Sequence, residues 1–238
     1  PLRPRTIVER LPTHSSGLGM SSRRLVLWRH GQTVWNAENR HQGQIDIPLN
    51  DVGVEQARHA AQTLLAMKPT HVIASDLSRA LETGRTLADL AGIEMTVDER
   101  LRETFAGEWQ GMTRDEIMAK YPEDYAAWGG DSEIRPGGGE TRWEVSERVV
   151  EAIEHALVAI PAGGTLVVAS HGGALRSALG RLLGLAPEQW TILGVLANAQ
   201  WSVLSELDEN MPKLPGLKWR LQEYNAGSLP EPAIGDDK

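Results

Sequence analysis

A chain of 238 residues, 41% hydrophobic and 24% charged, is long enough for one sizeable core or two small domains, in a composition ordinary for a globular protein. Its net charge of -8 and sequence pI near 5.4 argue against nucleic acid or an anionic membrane surface as the main partner, while leaving room for a local basic pocket. The absence of cysteine excludes disulfides, thiolate catalysis and cysteine-based zinc sites and fits a cytoplasmic protein, and no apolar run approaches the roughly 20 residues that span a bilayer.

Residues 1–20 carry three prolines and no clear period; they read as an extension ahead of Met20 and are set apart from the fold. The domain then runs over 21–225, with a tail at 226–238. The first expected strand, Leu25 to Trp28, is apolar throughout and stops at Arg29-His30-Gly31, where Gln32, Thr33 and Asn36 mark a turn into a helix. Helical spacing from Asn50 to Met67 aligns Ala57, Ala61, Leu64 and Leu65. A strand from His71 to Ser75 ends in Asp76-Leu77-Ser78-Arg79 and passes into a helix at Ala80 to Ala91, with Gly84, Leu87 and Ala88 on one face. A weaker strand, Met95 to Val97, follows. The helix expected at Thr141 to Ala159 aligns Val149, Ile153, Ala156 and Leu157. The strand Thr165 to Ser170 then ends in His171-Gly172-Gly173 and leads into another helix. Trp201 to Leu207 and Lys218 to Tyr224 close the series as an antiparallel edge. Strands alternating with helices of this length imply an α/β fold, a three-layer αβα sandwich around a mostly parallel sheet.

Parallel strands bring their carboxyl ends to one rim, the place where such sheets bind ligands. Arg29, His30, Arg79 and His171 each follow or end a strand there, so residues distant in sequence are expected in one pocket. Two guanidinium forks and the backbone N–H groups of helix starts suit a tetrahedral dianion, whose charge offsets the burial of the cations. Binding alone does not need two histidines. A neutral imidazole can attack phosphorus and carry the phosphoryl group, and nearby arginines disfavour the imidazolium. The second histidine, charged or donating, can stabilise the equatorial oxygens.

The stretches RHGQTVWN, SDLSRA, LRETFAGEWQG and SHGG, in that order, closely resemble the histidine phosphatase superfamily in its cofactor-dependent phosphoglycerate mutase-like branch. The resemblance covers about residues 22–225. It implies that His30 accepts the phosphoryl group, that Arg29, Arg79 and His171 complete the phosphate pocket, that Glu103 donates the proton, and that Asn36, Gln42 and Gly43 border the pocket. Glu103 also makes chemical sense: an alkoxide leaves poorly until protonated, and a carboxyl group kept protonated by burial or by the phosphate supplies that proton, then deprotonates the attacking water. Glu108 is the nearest substitute. No metal or other cofactor is expected, since the cations are built in.

Where mutases of the family carry a basic, aromatic stretch at the acid, this chain has Glu103-Thr104-Phe105-Ala106, which favours a phosphatase. LRET, GEWQG, PGGGET and NAQW (198–201) are most similar to glucosyl-3-phosphoglycerate phosphatases and related broad-specificity members, implying a small phosphate ester as substrate. Some of these form dimers, so a homodimer is a further expectation. Two alternatives stay open, a phosphoglycerate mutase and a non-catalytic module that binds phosphorylated ligands. Of the remaining residues, His14, His59, His71 and His155 read as structural or solvent-facing and His41 is undecided. PGGGET reads as a loop and helix entry rather than a nucleotide cradle, and Trp109 as packing rather than a sugar platform. Arg114, Arg135 and Arg142 are candidates to meet a substrate carboxylate, with nothing in the sequence to place them.

Overall fold

Apolar runs such as Leu25-Val26-Leu27-Trp28 and Leu166-Val167-Val168-Ala169, buried at every position, are what a strand covered on both faces requires. A computed structural model describes residues 22–130, 133–207 and 216–227, so the N-terminal extension and nearly all of the proposed tail lie outside the described residues. Six strands are present among these, β1 (Arg24–Arg29), β2 (His71–Ala74), β3 (Met95–Val97), β4 (Thr165–Ser170), β5 (Trp201–Glu206) and β6 (Trp219–Ala226). They form one sheet in the order β3-β2-β4-β1-β5-β6. The first four run parallel; β5 pairs antiparallel with β1, and β6 antiparallel with β5.

The helices are α1 (Val34–Ala37), α2 (Asp51–Leu65), α3 (Ser78–Ala91), α4 (Arg114–Lys120), α5 (Pro122–Gly130), α6 (Arg142–Leu157) and α7 (Gly172–Leu182). Alternation along the strands divides the core. Val26, Trp28, Val72, Ala74, Val167 and Ala169 pack with α2 and α3; Leu25, Leu27, Ile73, Leu166 and Val168 pack with α6 and α7. This is the expected three-layer sandwich. The helix borders follow their caps: Asn50 accepts from the N–H of Gly53, and Thr141 forms a capping box with Glu144.

Two boundaries differ from expectation in a way that matters. β1 extends through Arg29, and α3 begins at Ser78, so Arg79 sits inside the first helical turn. The turn into a helix expected after β1 is the short α1, capped by Thr33, whereas α4 and α5 were not expected from periodicity. Between β3 and α6, α4, α5 and neighbouring 3-10 turns build a small satellite core of Ala106, Trp109, Ile117 and Trp128, with Tyr121 and Tyr125 packed on it. Trp109 is fully buried there, as packing required.

Candidate active site

Register places the site. Arg29 stands opposite Ser170 in the β1–β4 ladder, and the His30 N–H continues it to the Ser170 carbonyl at 3.0 Å. His30 and His171 therefore leave neighbouring strands side by side, with ring centroids 5.1 Å apart. On the other side of β4, the Ser75 N–H donates to the Ala169 carbonyl at 3.0 Å, and the chain turns into α3 with Arg79 in its first turn. The turn after β1 passes so close to α2 that a Cβ on Gly31 would lie 2.2 Å from the Gly53 carbonyl oxygen, which explains the glycine after His30.

The hydrogen bonds fix the tautomers. His30 Nδ1 lies 2.7 Å from the Gly31 carbonyl, which only accepts, so Nδ1 carries the proton and Nε2 the lone pair. In His171 the roles are reversed: Arg79 Nε donates to Nδ1 at 3.2 Å, which leaves the proton on Nε2, 2.9 Å from Ser75 Oγ. Burial, with the Arg79 and Arg29 charges behind it, holds the His30 imidazole well below its ordinary range. Burial, then Arg79, His30, Arg148 and Arg29, does the same to His171. Burial and the arginines disfavour the imidazolium at both rings, which favours the donating over the charged role for His171.

Arg79 is buried, with its two terminal nitrogens on the Gly43 and Ile45 carbonyls at 2.8 and 2.9 Å. Arg29 donates to the Leu196 carbonyl at 2.6 Å, and its Nε is buried without a hydrogen-bond partner among the described residues. A Cβ on Gly172 would come within 3.2 Å of the same guanidinium, so a glycine there lets Arg29 lie against the start of α7. Asn36 is fully buried; its Oδ1 accepts from Thr33, while its Nδ2 is a second buried donor without a partner among the described residues. Gln42 is buried with its Oε1 receiving Thr33 Oγ1 at 3.0 Å, and Gly43 adopts a positive φ of 53° in the turn that supplies a carbonyl to Arg79. Asn36, Gln42 and Gly43 are thus tied to the cluster of Arg29, His30, Arg79 and His171, through Asn198, Thr33 and Arg79.

Glu103 reaches the same place from the loop after β3. Its Oε1 accepts from the N–H groups of Thr104 and Ala174, both at 2.8 Å, and its Oε2 from Gly173 at 3.0 Å. It thus caps α7, the helix whose N-cap is His171 and whose N-terminus lacks a side-chain cap of its own. Three backbone donors thus hold the buried carboxyl group at the start of α7. Arg148 anchors the loop from behind, donating to the carbonyls of Arg100, Arg102 and Glu103 and pairing with Glu140. The glycines of PGGGET serve this loop too: a Cβ on Gly139 would fall 1.7 Å from the Phe105 carbonyl oxygen. Glu108, the substitute acid, is exposed and accepts from Tyr121 Oη.

Sequence reasoning missed Ser75, Arg148 and Asn198. Ser75 ends an expected strand and Asn198 lies in a stretch used only for its resemblance, but no local signal marked any of them. His41 is buried against Trp109 and Trp128. Arg114 and Arg142 lie over the rings of Tyr125 and Trp128, and Arg135 pairs with Glu144. Among the described residues no group of three or more His, Cys, Asp or Glu stands close enough to hold a metal ion, and no helix is long and apolar enough to cross a membrane.

A sheet of this topology with two arginines and two neutral histidines at its carboxyl rim defines the class, and the model of the histidine phosphatase superfamily (branch 1) matches residues 25–219. The chain belongs to that superfamily. The relatives narrow the comparison. The glucosyl-3-phosphoglycerate phosphatase of Mycolicibacterium vanbaalenii is 40% identical over 219 residues, covering 88% of this chain and 97% of the relative. The enzyme of that name from Mycobacterium tuberculosis is 37% identical over 216 residues, covering 88% and 97%. A solved mycobacterial glucosyl-3-phosphoglycerate phosphatase in complex with VO3 has a TM-score of 0.79 at 37% identity, covering 86% of this chain and all of that one (100%).

Proposed function

We propose that the chain hydrolyses a small phosphorylated metabolite, glucosyl-3-phosphoglycerate or a related sugar or glycerate phosphate, with His30 as the phosphoryl carrier. The observation that carries this reading is the His30 tautomer: its Nδ1–H is committed to the Gly31 carbonyl, leaving a neutral Nε2 lone pair between two buried arginines. The phosphate dianion binds among Arg29, Arg79, His171 and the Asn36 amide. His30 Nε2 then attacks phosphorus while the ester oxygen departs from the opposite side.

Glu103 gives that oxygen its proton. Three backbone N–H groups hold this carboxyl group in position, and the incoming dianion supplies the electrostatic drive that places the proton on it. In the second half the same carboxylate draws a proton from water as it attacks the phosphohistidine, and inorganic phosphate leaves. The substrate assignment rests on the names of the relatives, and cytoplasmic location, a homodimer and the domain limits 21–225 are further parts of this proposal.

The test is a phosphate-release screen over glucosyl-3-phosphoglycerate, phosphoglycerates and sugar phosphates, run with and without chelator. Release from at least one of these esters, unaffected by chelator, is expected, because the two arginines supply the positive field. Interconversion of phosphoglycerates with a bisphosphorylated primer and no phosphate release means the mutase alternative; activity lost with chelator and restored by Mg²⁺ overturns the metal-free mechanism.

A further inference from the structure

The segment before β5 backs the whole nucleophile loop. The Leu196 carbonyl takes Arg29, the Ala199 N–H donates to the His30 carbonyl at 3.0 Å, and the Gln200 carbonyl takes the Arg29 N–H at 2.9 Å. Ala199 holds a positive φ of 57°, uncommon for a residue with a Cβ, and the segment is tied to β6 by the Ala197 N–H on Asn225 Oδ1 at 2.8 Å. Asn198 is the member of this segment whose side chain points at the site.

Asn198 Nδ2 lies 3.2 Å from the His30 carbonyl, 3.3 Å from the Gly31 carbonyl and 3.1 Å from Asn36 Oδ1. All three partners are acceptors, so the nitrogen, not the oxygen, of Asn198 must face them. The Gly31 carbonyl that receives the Asn198 amide is the one that holds the His30 Nδ1 proton, so Asn198 steadies the group that selects the nucleophilic tautomer. Asn36 Oδ1, taken by the Asn198 amide and the Thr33 N–H, cannot exchange places with Nδ2 without losing both of these bonds. Its Nδ2, buried and unpartnered among the described residues, is therefore locked in the direction of a donor for an oxyanion.

We infer that Asn198 is a positioning residue for phosphoryl transfer, orienting the Asn36 amide and the His30–Gly31 carbonyls from outside the phosphate pocket. This rests on the proposed role of His30 and extends it to a residue that touches neither phosphate nor leaving group. Asn198→Asp is the sharpest perturbation, because both carboxylate oxygens are acceptors and no rotation relieves their opposition to three acceptor oxygens. The Asn36 amide then flips to donate to the introduced carboxylate and turns its oxygen toward the anion.

The experiment measures kcat/KM on an ester the wild-type enzyme turns over, and the inhibition constant of inorganic phosphate, for wild type, Asn198→Ala, Asn198→Asp, Asn36→Ala and the Asn36→Ala/Asn198→Ala pair. Asn198→Ala is expected to lose at least tenfold and Asn198→Asp more, with weaker phosphate inhibition in the aspartate variant. In the Asn36→Ala background, removing Asn198 should cost less than threefold, because much of its action passes through Asn36. Wild-type rates in Asn198→Ala, or losses that multiply fully in the double variant, overturn the inference, whereas an inactive wild type overturns the functional reading instead. If the Asn198 variants do not fold, a wild-type complex with inorganic phosphate decides: the Asn198–Asn36 bond kept, with the Asn36 amide on the anion, supports the role, and Asn198 swung away from Asn36 ends it.

Discussion

Replacing Glu103 with glutamine separates its two jobs, proton donor and cap of α7. The amide is nearly isosteric, and its oxygen will take the Oε1 position, where the Thr104 and Ala174 N–H groups converge at 2.8 Å. That puts the NH2 against the Gly173 N–H, now 3.0 Å from an acceptor, so one half-buried donor loses its partner. An unsatisfied donor of this kind costs about 1–3 kcal/mol, and at roughly 2–4 °C per kcal/mol for a chain of this size the melting temperature should fall by about 2–12 °C. The catalytic loss has a different signature. General acid catalysis is worth roughly 10²–10⁴ in rate, and it matters only where the leaving group is poor. Phosphoryl transfer from a sugar or glycerate ester should therefore slow by that factor, while p-nitrophenyl phosphate, whose phenolate departs unaided, should lose less than about tenfold. The comparison must be made on the single-turnover step that forms phosphohistidine, since water activation by the same carboxylate would slow steady-state turnover of both esters. Equal losses on the two esters would refute the proton-donor role and leave Glu103 as the residue that holds His171 in place through the helix cap.

Arg79→Lys should retain only part of the wild-type kcat/KM and Arg79→Ala far less, because an ammonium cannot span the Gly43 and Ile45 carbonyls and His171 Nδ1 together; a fully active lysine variant would place Arg79 outside the chemistry. With His30 and His171 both held well below the ordinary histidine range, the unfolded chain takes up protons that the folded chain refuses as pH falls below about 6.5, so stability should drop on the acid side by up to about 1.4 kcal/mol per pH unit for each histidine. Denaturant unfolding between pH 7.5 and 5.5 checks this, and His171→Gln should remove part of the slope; identical slopes in the two proteins would contradict the burial of a neutral His171.

The parts of the site that could be read from the sequence are those carried by strand ends. Arg29, His30 and His171 follow apolar runs that only a two-faced sheet strand explains, and parallel pairing then brings them together without further information. Glu103 was picked out by resemblance together with the leaving group's need for a proton, because its own neighbourhood, Glu99, Arg100 and Arg102, reads as a charged loop. In the structure those charges are spent locally, Arg100 on Asp98 and Arg102 on Asp76, and Glu103 alone turns inward. Ser75, Arg148 and Asn198 act through contacts across 96, 45 and 168 residues of sequence, and no local pattern encodes such pairings. The satellite core was illegible for another reason: α4 and α5 span 7 and 9 residues, too short for a helical period to stand out, and are held by tryptophan and tyrosine packing instead.

The central claim, a phosphoryl group carried on His30, is tested most directly by rapid-quench trapping during turnover of a radiolabelled phosphate ester, followed by peptide mapping. Acid-labile, base-stable label on the peptide that contains His30, formed and lost at rates that match turnover and absent from His30→Ala, is the predicted result. Label on His171 would reverse the two histidines, and turnover with no trapped intermediate, together with inversion at a chiral phosphorus, would mean direct attack by water and contradict the account.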